Sequence, residues 1–167
     1  MDRDLRALAG EFGAALRASG QWCATAESCT GGLLAGAITA CPGASQWFNQ
    51  GFVTYSNAAK VQQLQVSADT LKHHGAVSEQ TAMEMAGGVL AVVGAAHLAL
   101  STTGIAGPDG GTPGKPVGMV CFGIARRAAA GITTRAITRV FEGDREAVRM
   151  ASVRFALQWA LEDMRQK

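Results

Sequence analysis

Ser28 stands in the run Ala26-Glu27-Ser28-Cys29-Thr30-Gly31-Gly32, where an apolar strand pattern gives way to a glycine-rich helix start. A hydroxyl at such a junction is held still by the strand. It also faces backbone N–H groups and the positive end of a helix, which together favour an oxyanion or a phosphate. The same serine would equally serve as an ordinary helix cap. The run does not have the Gly-x-Ser-x-Gly spacing of the α/β-hydrolase elbow. A serine nucleophile needs a base, and nothing marks His73, His74 or His97 as its partner. Lysine is the other base available, provided burial lowers its pKa. Lys60 closes the segment Gly51-Phe-Val-Thr-Tyr-Ser-Asn-Ala-Ala-Lys, five positions after Tyr55, the chain's single tyrosine. A solvated helix lysine and a packed tyrosine are the competing accounts of these two side chains.

Two further segments suit a charged or polar ligand. Ser101-Thr-Thr-Gly-Ile-Ala-Gly-Pro-Asp-Gly-Gly111 follows a strand pattern, and its glycines and threonines could cradle a phosphate or ribose. Gly-Pro-Asp-Gly is also simply a turn, and the spacing matches neither a Walker A loop nor a Rossmann fingerprint. Glu142-Gly143-Asp144-Arg145 places an arginine at a helix start, which suits a phosphate or carboxylate, or a plain ion pair.

The elements that must position these residues can be read from periodicity. Leu5, Leu8, Ala9, Phe12 and Leu16 recur at helical spacing until Gly20. Trp22–Thr25 reads as a buried strand, followed by a helix from Thr30 to about Ala40 that Cys41-Pro42-Gly43 ends. Trp47–Tyr55 is a second strand, Asn57–Leu64 a helix, Ser67 the start of a short helix, and Ser78 the N-cap of a longer one to about Val93. His97–Thr103 is a strand. Val117–Arg126 and Ile132–Phe141 form a hairpin across the alanine-rich stretch near Gly131, although alanine is poor turn material. Gly143-Asp144 opens a final helix to about Gln166, with Val148, Ala151, Phe155 and Trp159 on one face. Early β-α alternation followed by a hairpin predicts an α/β fold with a mostly parallel sheet and one antiparallel strand.

Composition narrows the function classes. The 167 residues are 48% hydrophobic and 17% charged, an ordinary globular balance for one domain over residues 1–167. A net charge of +2, with no basic run interleaved with aromatics, argues against nucleic acid as a partner. Cys23, Cys29, Cys41 and Cys121 have neither zinc-site nor disulfide-framework spacing and read as reduced thiols. The opening MDRDLRALAG starts an amphipathic helix rather than a signal peptide, and Met85–Leu100 is too short and mixed for a bilayer span. No membrane partner is expected.

Five segments together resemble the CinA C-terminal domain family: TAESCTGG (25–32), GFVTYSNAAK (51–60), GAVSEQTAMEMA (75–86), TGIAGPDGGTPGKPVG (103–118) and FEGDREAVR (141–149). They occur in family order and span nearly the whole chain. The resemblance implies a three-layer α/β/α sandwich and hydrolysis of the carboxamide of nicotinamide mononucleotide to nicotinate mononucleotide and ammonia. It assigns Ser28 as nucleophile, Lys60 as base and Tyr55 as support. Candidate substrate contacts are then Thr30, Gly31, Gly32, Asn57, Thr102, Thr103, Gly104, Gly107 and Arg145, with the oxyanion expected on amides near Thr30–Gly32. The resemblance further implies a cytoplasmic homodimer that uses no metal or organic cofactor. A non-catalytic module binding a nucleotide or partner, and an amidase for another small amide or lactam, are the alternatives.

Overall fold

The computed structural model describes residues 2–166. Helix α1 (Arg3–Ser19) is capped by the Asp2 carboxylate and stopped at Gly20, and it buries Leu5, Ala9, Phe12 and Leu16 along one stripe. At about 1.5–3 kcal/mol for each large apolar side chain removed from water, that stripe docks the helix firmly. Strand β1 (Cys23–Glu27) is buried along its whole length, as expected for a central parallel strand. Helix α2 (Leu33–Thr39), strand β2 (Phe48–Val53), helices α3 (Asn57–Leu64), α4 (Ala68–His74) and α5 (Glu79–Val92), strands β3 (Leu98–Gly104), β4 (Met119–Ala128) and β5 (Gly131–Val140), and helix α6 (Arg145–Arg165) follow.

The strands form one sheet in the order β2-β1-β3-β4-β5. β1 pairs in parallel with β2 and β3, β4 runs antiparallel to β3, and β5 antiparallel to β4. One strand of the five therefore runs against the rest. The hairpin forms despite its alanine turn: Ala128 pairs with Gly131, so Ala129 and Ala130 alone make the turn. Helices cover both faces. α1, α2 and α6 lie over a core that includes Phe12, Leu34, Trp47, Phe122 and Leu157. The other face buries Leu64, Met85, Val89 and Leu90 of α3 and α5 against Ala24, Ala26 and Ala99.

Two expectations are corrected in detail. Helix α2 starts at Leu33 rather than Thr30, because Gly31 and Gly32 take φ of +58° and +97° and turn the chain first. In α6 the buried stripe runs through Val148, Ser152, Val153, Ala156, Leu157, Ala160 and Leu161. Phe155 and Trp159 lie at its margin, where Phe155 packs on Phe122 and Phe141 and the two rings meet the Arg139 and Arg135 guanidinium groups.

Because α2 and α3–α5 leave on opposite faces, the chain reverses its winding beside β1. The carboxyl ends of β1, β2 and β3 open into the crevice where ligands bind in open α/β sheets. Ser28, Tyr55 and Gly104 all lie there, and the end of β5 delivers the start of α6 to the same edge.

Candidate active site

Ser28 is the first residue beyond β1, and its N–H donates to the Thr102 carbonyl at 2.9 Å. It does not cap α2, whose N-cap is Gly32 with no side-chain bond. The Ser28 hydroxyl oxygen instead lies 3.0 Å from Lys60 Nζ. Lys60 sits in the first turn of α3, which Ser56 starts by accepting the Ala59 N–H. Lys60 is only 1% exposed, the fate least expected of a lysine. Its other partners are the carbonyls of Thr54 at 2.9 Å and Tyr55 at 3.3 Å. Burial pulls its pKa below the ordinary 10.5, opposed only weakly by the neighbouring Cys29. That thiol is itself buried, and its pKa is pushed up to about 12, so it carries no charge to hold the ammonium.

The partners accommodate both protonation states. An ammonium donates to the Ser28 hydroxyl and to the Thr54 and Tyr55 carbonyls, whereas a neutral amine donates to the two carbonyls and turns its lone pair to the Ser28 proton. The Ser28 hydroxyl also lies within 3.5 Å of the Tyr55 carbonyl. The Tyr55 side chain is 59% exposed and turns outward, where its hydroxyl receives a hydrogen bond from Arg145 Nη2 at 2.9 Å. Arg145 also donates to the Gly107 carbonyl at 2.8 Å, tying the first turn of α6 to the glycine-rich loop. Asn57 is exposed at the start of α3 beside this mouth.

Behind Ser28 the hydrogen bonding is dense. The buried Glu27 carboxylate accepts from Thr30 Oγ1 at 2.6 Å and from the amides of Gly32, Leu34 and Ala35 at 3.1, 2.9 and 2.8 Å. It therefore occupies the N-terminus of α2, the place where sequence alone suggested an anion. With the Thr30 hydrogen committed to Glu27, the 2.7 Å contact between Thr30 and Thr102 is donated by Thr102. Thr103 Oγ1 donates to the Ala76 carbonyl at 2.7 Å. Both β3 threonines are buried, and Gly104 passes so close to β4 that a Cβ there would stand 2.7 Å from the Met119 carbonyl.

The amides near the nucleophile differ in availability. The Gly31 N–H is taken by the Ser28 carbonyl and the Gly32 N–H by Glu27. Among the described residues, the N–H groups of Cys29 and Thr30 meet no acceptor. Sequence reasoning assigned no role to Glu27 or to Arg149, which donates to the carbonyls of Cys29 and Thr30. The available signals were a carboxylate ending a strand of small, mostly apolar residues and a second arginine four residues after Arg145. Among the described residues no cluster of metal-ligating side chains occurs, and no helix is long and apolar enough to cross a membrane.

The five-stranded sheet with helices on both faces is an α/β/α sandwich, and a buried serine–lysine contact sits at the carboxyl end of its strand β1. The chain belongs to the CinA C-terminal domain family, whose pattern it matches over residues 5–164. It is 54% identical to the nicotinamide-nucleotide amidohydrolase PncC of Enterobacter agglomerans, over 97% of this chain and 96% of that protein. The protein of that name from Escherichia coli K12 is 50% identical over 94% and 93%. A CinA-like protein of Chloroherpeton thalassium is 56% identical, over 80% of this chain but only 32% of its own length. Among solved structures, competence damage-inducible protein A (ComA) of Klebsiella pneumoniae superposes with a TM-score of 0.89 at 42% identity, covering 95% of each chain.

Proposed function

We propose that this chain is a nicotinamide-nucleotide amidohydrolase that works through a Ser28–Lys60 pair. Its near full-length identity to the two PncC proteins supports the reaction. The observation that carries the mechanism is the 3.0 Å contact between a buried lysine amine and a serine hydroxyl at the mouth of the crevice.

Ser28 Oγ attacks the carboxamide carbon while Lys60 Nζ takes its proton, and the carbonyl π pair moves to oxygen. The oxyanion rests on the free amides of Cys29 and Thr30. The Lys60 ammonium then passes its proton to the amide nitrogen, the C–N bond breaks, and ammonia leaves an acyl-Ser28 ester. Water loses a proton to Lys60 and attacks the ester. Lys60 returns that proton to Ser28 as the C–O bond breaks, and the acid product gives its own proton to solvent and departs as the carboxylate. Arg145 and the 103–111 loop receive the phosphate and ribose at the exposed rim, with Asn57 and Tyr55 beside them. Thr30, Thr102 and Thr103 shape the site from behind. A cytoplasmic homodimer of this one domain belongs to the same proposal.

Ammonia release from nicotinamide mononucleotide by wild type, Ser28→Ala and Lys60→Ala tests it. The expected result is turnover by the wild type that falls at least about a thousandfold in both variants. A folded wild type that binds the nucleotide without releasing ammonia would point instead to a non-catalytic binding module.

A further inference from the structure

We propose that Arg149 is a positioning residue that builds the oxyanion site from the far side of the nucleophile turn. The inference rests on the amidase reaction proposed above. Arg149 lies on α6 one turn beyond Arg145, but the two arginines reach different places. Arg145 faces the rim, through Tyr55 and Gly107. Arg149 reaches behind Ser28, where Nε donates to the Cys29 carbonyl and Nη2 to the Thr30 carbonyl, each at 3.1 Å.

Peptide planarity turns that grip into a statement about the amides. In a trans peptide the C=O and the following N–H point in opposite directions. Holding the Cys29 carbonyl toward α6 therefore turns the Thr30 N–H away from α6. The Thr30 carbonyl, which Arg149 shares with the Leu33 N–H at 3.1 Å, sets the next plane, whose Gly31 N–H binds the Ser28 carbonyl at 3.1 Å. That carbonyl shares its plane with the Cys29 N–H, so the guanidinium, together with the Leu33 amide, orients the second amide as well. These two N–H groups, one on the residue after the nucleophile and one on the next, are the pair with no acceptor among the described residues.

The fit is close. A Cβ on Gly31 would stand 3.2 Å from Arg149 Nη2, so the turn presses directly against the guanidinium. The planar fork spans two carbonyls at once, which a lysine ammonium cannot do in the same geometry. Arg149 touches neither substrate nor reacting atoms in this scheme. It acts through the backbone of Cys29 and Thr30.

The test compares wild type with Arg149→Lys and Arg149→Ala, after circular dichroism and melting establish that each folds. Two rates are measured: ammonia release from nicotinamide mononucleotide, and labelling of Ser28 by a fluorophosphonate, followed by mass spectrometry. The second needs the same oxyanion donors but not the amide substrate. Arg149→Ala is expected to lose about 100-fold in kcat, with KM within about threefold and labelling slowed in step. Added guanidinium restores part of the loss, Arg149→Lys falls between, and the pH limb set by Lys60 does not move. A folded Arg149→Ala with wild-type kcat and labelling overturns the proposal, as does a rise in KM alone or a displaced pH limb. If Arg149→Ala does not fold, Arg149→Lys decides by the same criteria. A wild type that labels at Ser28 but releases no ammonia overturns the amidase reading alone, and the labelling rates still judge Arg149. A wild type that does neither overturns both.

Discussion

Lys60 Nζ lies 3.0 Å from Ser28 Oγ, and its other hydrogen-bond partners are two uncharged carbonyls. With no carboxylate bonded to it, the amine has only neutral acceptors and the Cys29 thiol to set against the cost of burying its charge. Desolvation therefore holds its pKa below 10.5. The protonated form cannot accept the Ser28 proton, so activity must rise with pH as Lys60 loses its own. The pH profile of kcat/KM should show one ascending limb with its midpoint below 10.5, measurable by ammonia release in buffers of constant ionic strength. A flat profile across that range would remove Lys60 from the role of base.

Glu27 is a stability element as much as a site element, since four donors converge on its carboxylate. Glu27→Ala strands those donors in the interior and should cost about 3–5 kcal/mol in urea unfolding. Glu27→Gln keeps one carbonyl acceptor but sets an NH₂ against amide donors, so about half that loss is expected. Equal stability of all three proteins would mean that water replaces the carboxylate without penalty.

Arg145 predicts a different kinetic signature from Arg149. Its guanidinium is solvent-exposed at the rim, spending two donors on Tyr55 and Gly107 and keeping others for an anion. Arg145→Ala should raise KM for the mononucleotide about 10- to 100-fold with kcat changed little. The effect should shrink for a substrate lacking the phosphate. A loss confined to kcat would place Arg145 at the chemistry instead.

Gly88 offers a test of the fold away from the site. A Cβ there would stand 2.0 Å from the Leu64 carbonyl oxygen, so α3 crosses α5 at backbone distance. Gly88→Ala must push α3 outward and should cost about 2–4 kcal/mol. Because α3 also carries Lys60, the displaced helix should weaken activity too. A variant as stable as wild type would show that α3 moves freely on α5.

Much of the element order was legible because local chemistry decides it. Ser78 and Asp144 cap their helices through the Thr81 and Ala147 amides, and Gly20 ends α1 in a left-handed conformation. The start of α2 was misjudged because Gly31 and Gly32 act on the backbone before any helical spacing shows. Periodicity puts Val148, Phe155 and Trp159 on one face of α6, and all three pack on the core, but the twist and edge of the sheet decide which side of that stripe is fully covered. Phe155 and Trp159 lie over the β4–β5 margin and stay partly open, capped by Arg139 and Arg135.

The site divides in the same way. By residue type and order alone, the sequence determined a serine after an apolar strand, a lysine five residues past the single tyrosine, and a glycine-rich loop. These are properties of neighbouring residues, which one-dimensional spacing preserves. Only the tertiary structure decided that Lys60 is buried against Ser28, that Glu27 fills the end of α2, and that Arg149 reaches across from α6. Those relations join residues 32 and 120 positions apart, or depend on the direction of a side chain in a packed interior. Burial and direction arise when sheet and helices close on one another, and spacing along the chain carries no record of them.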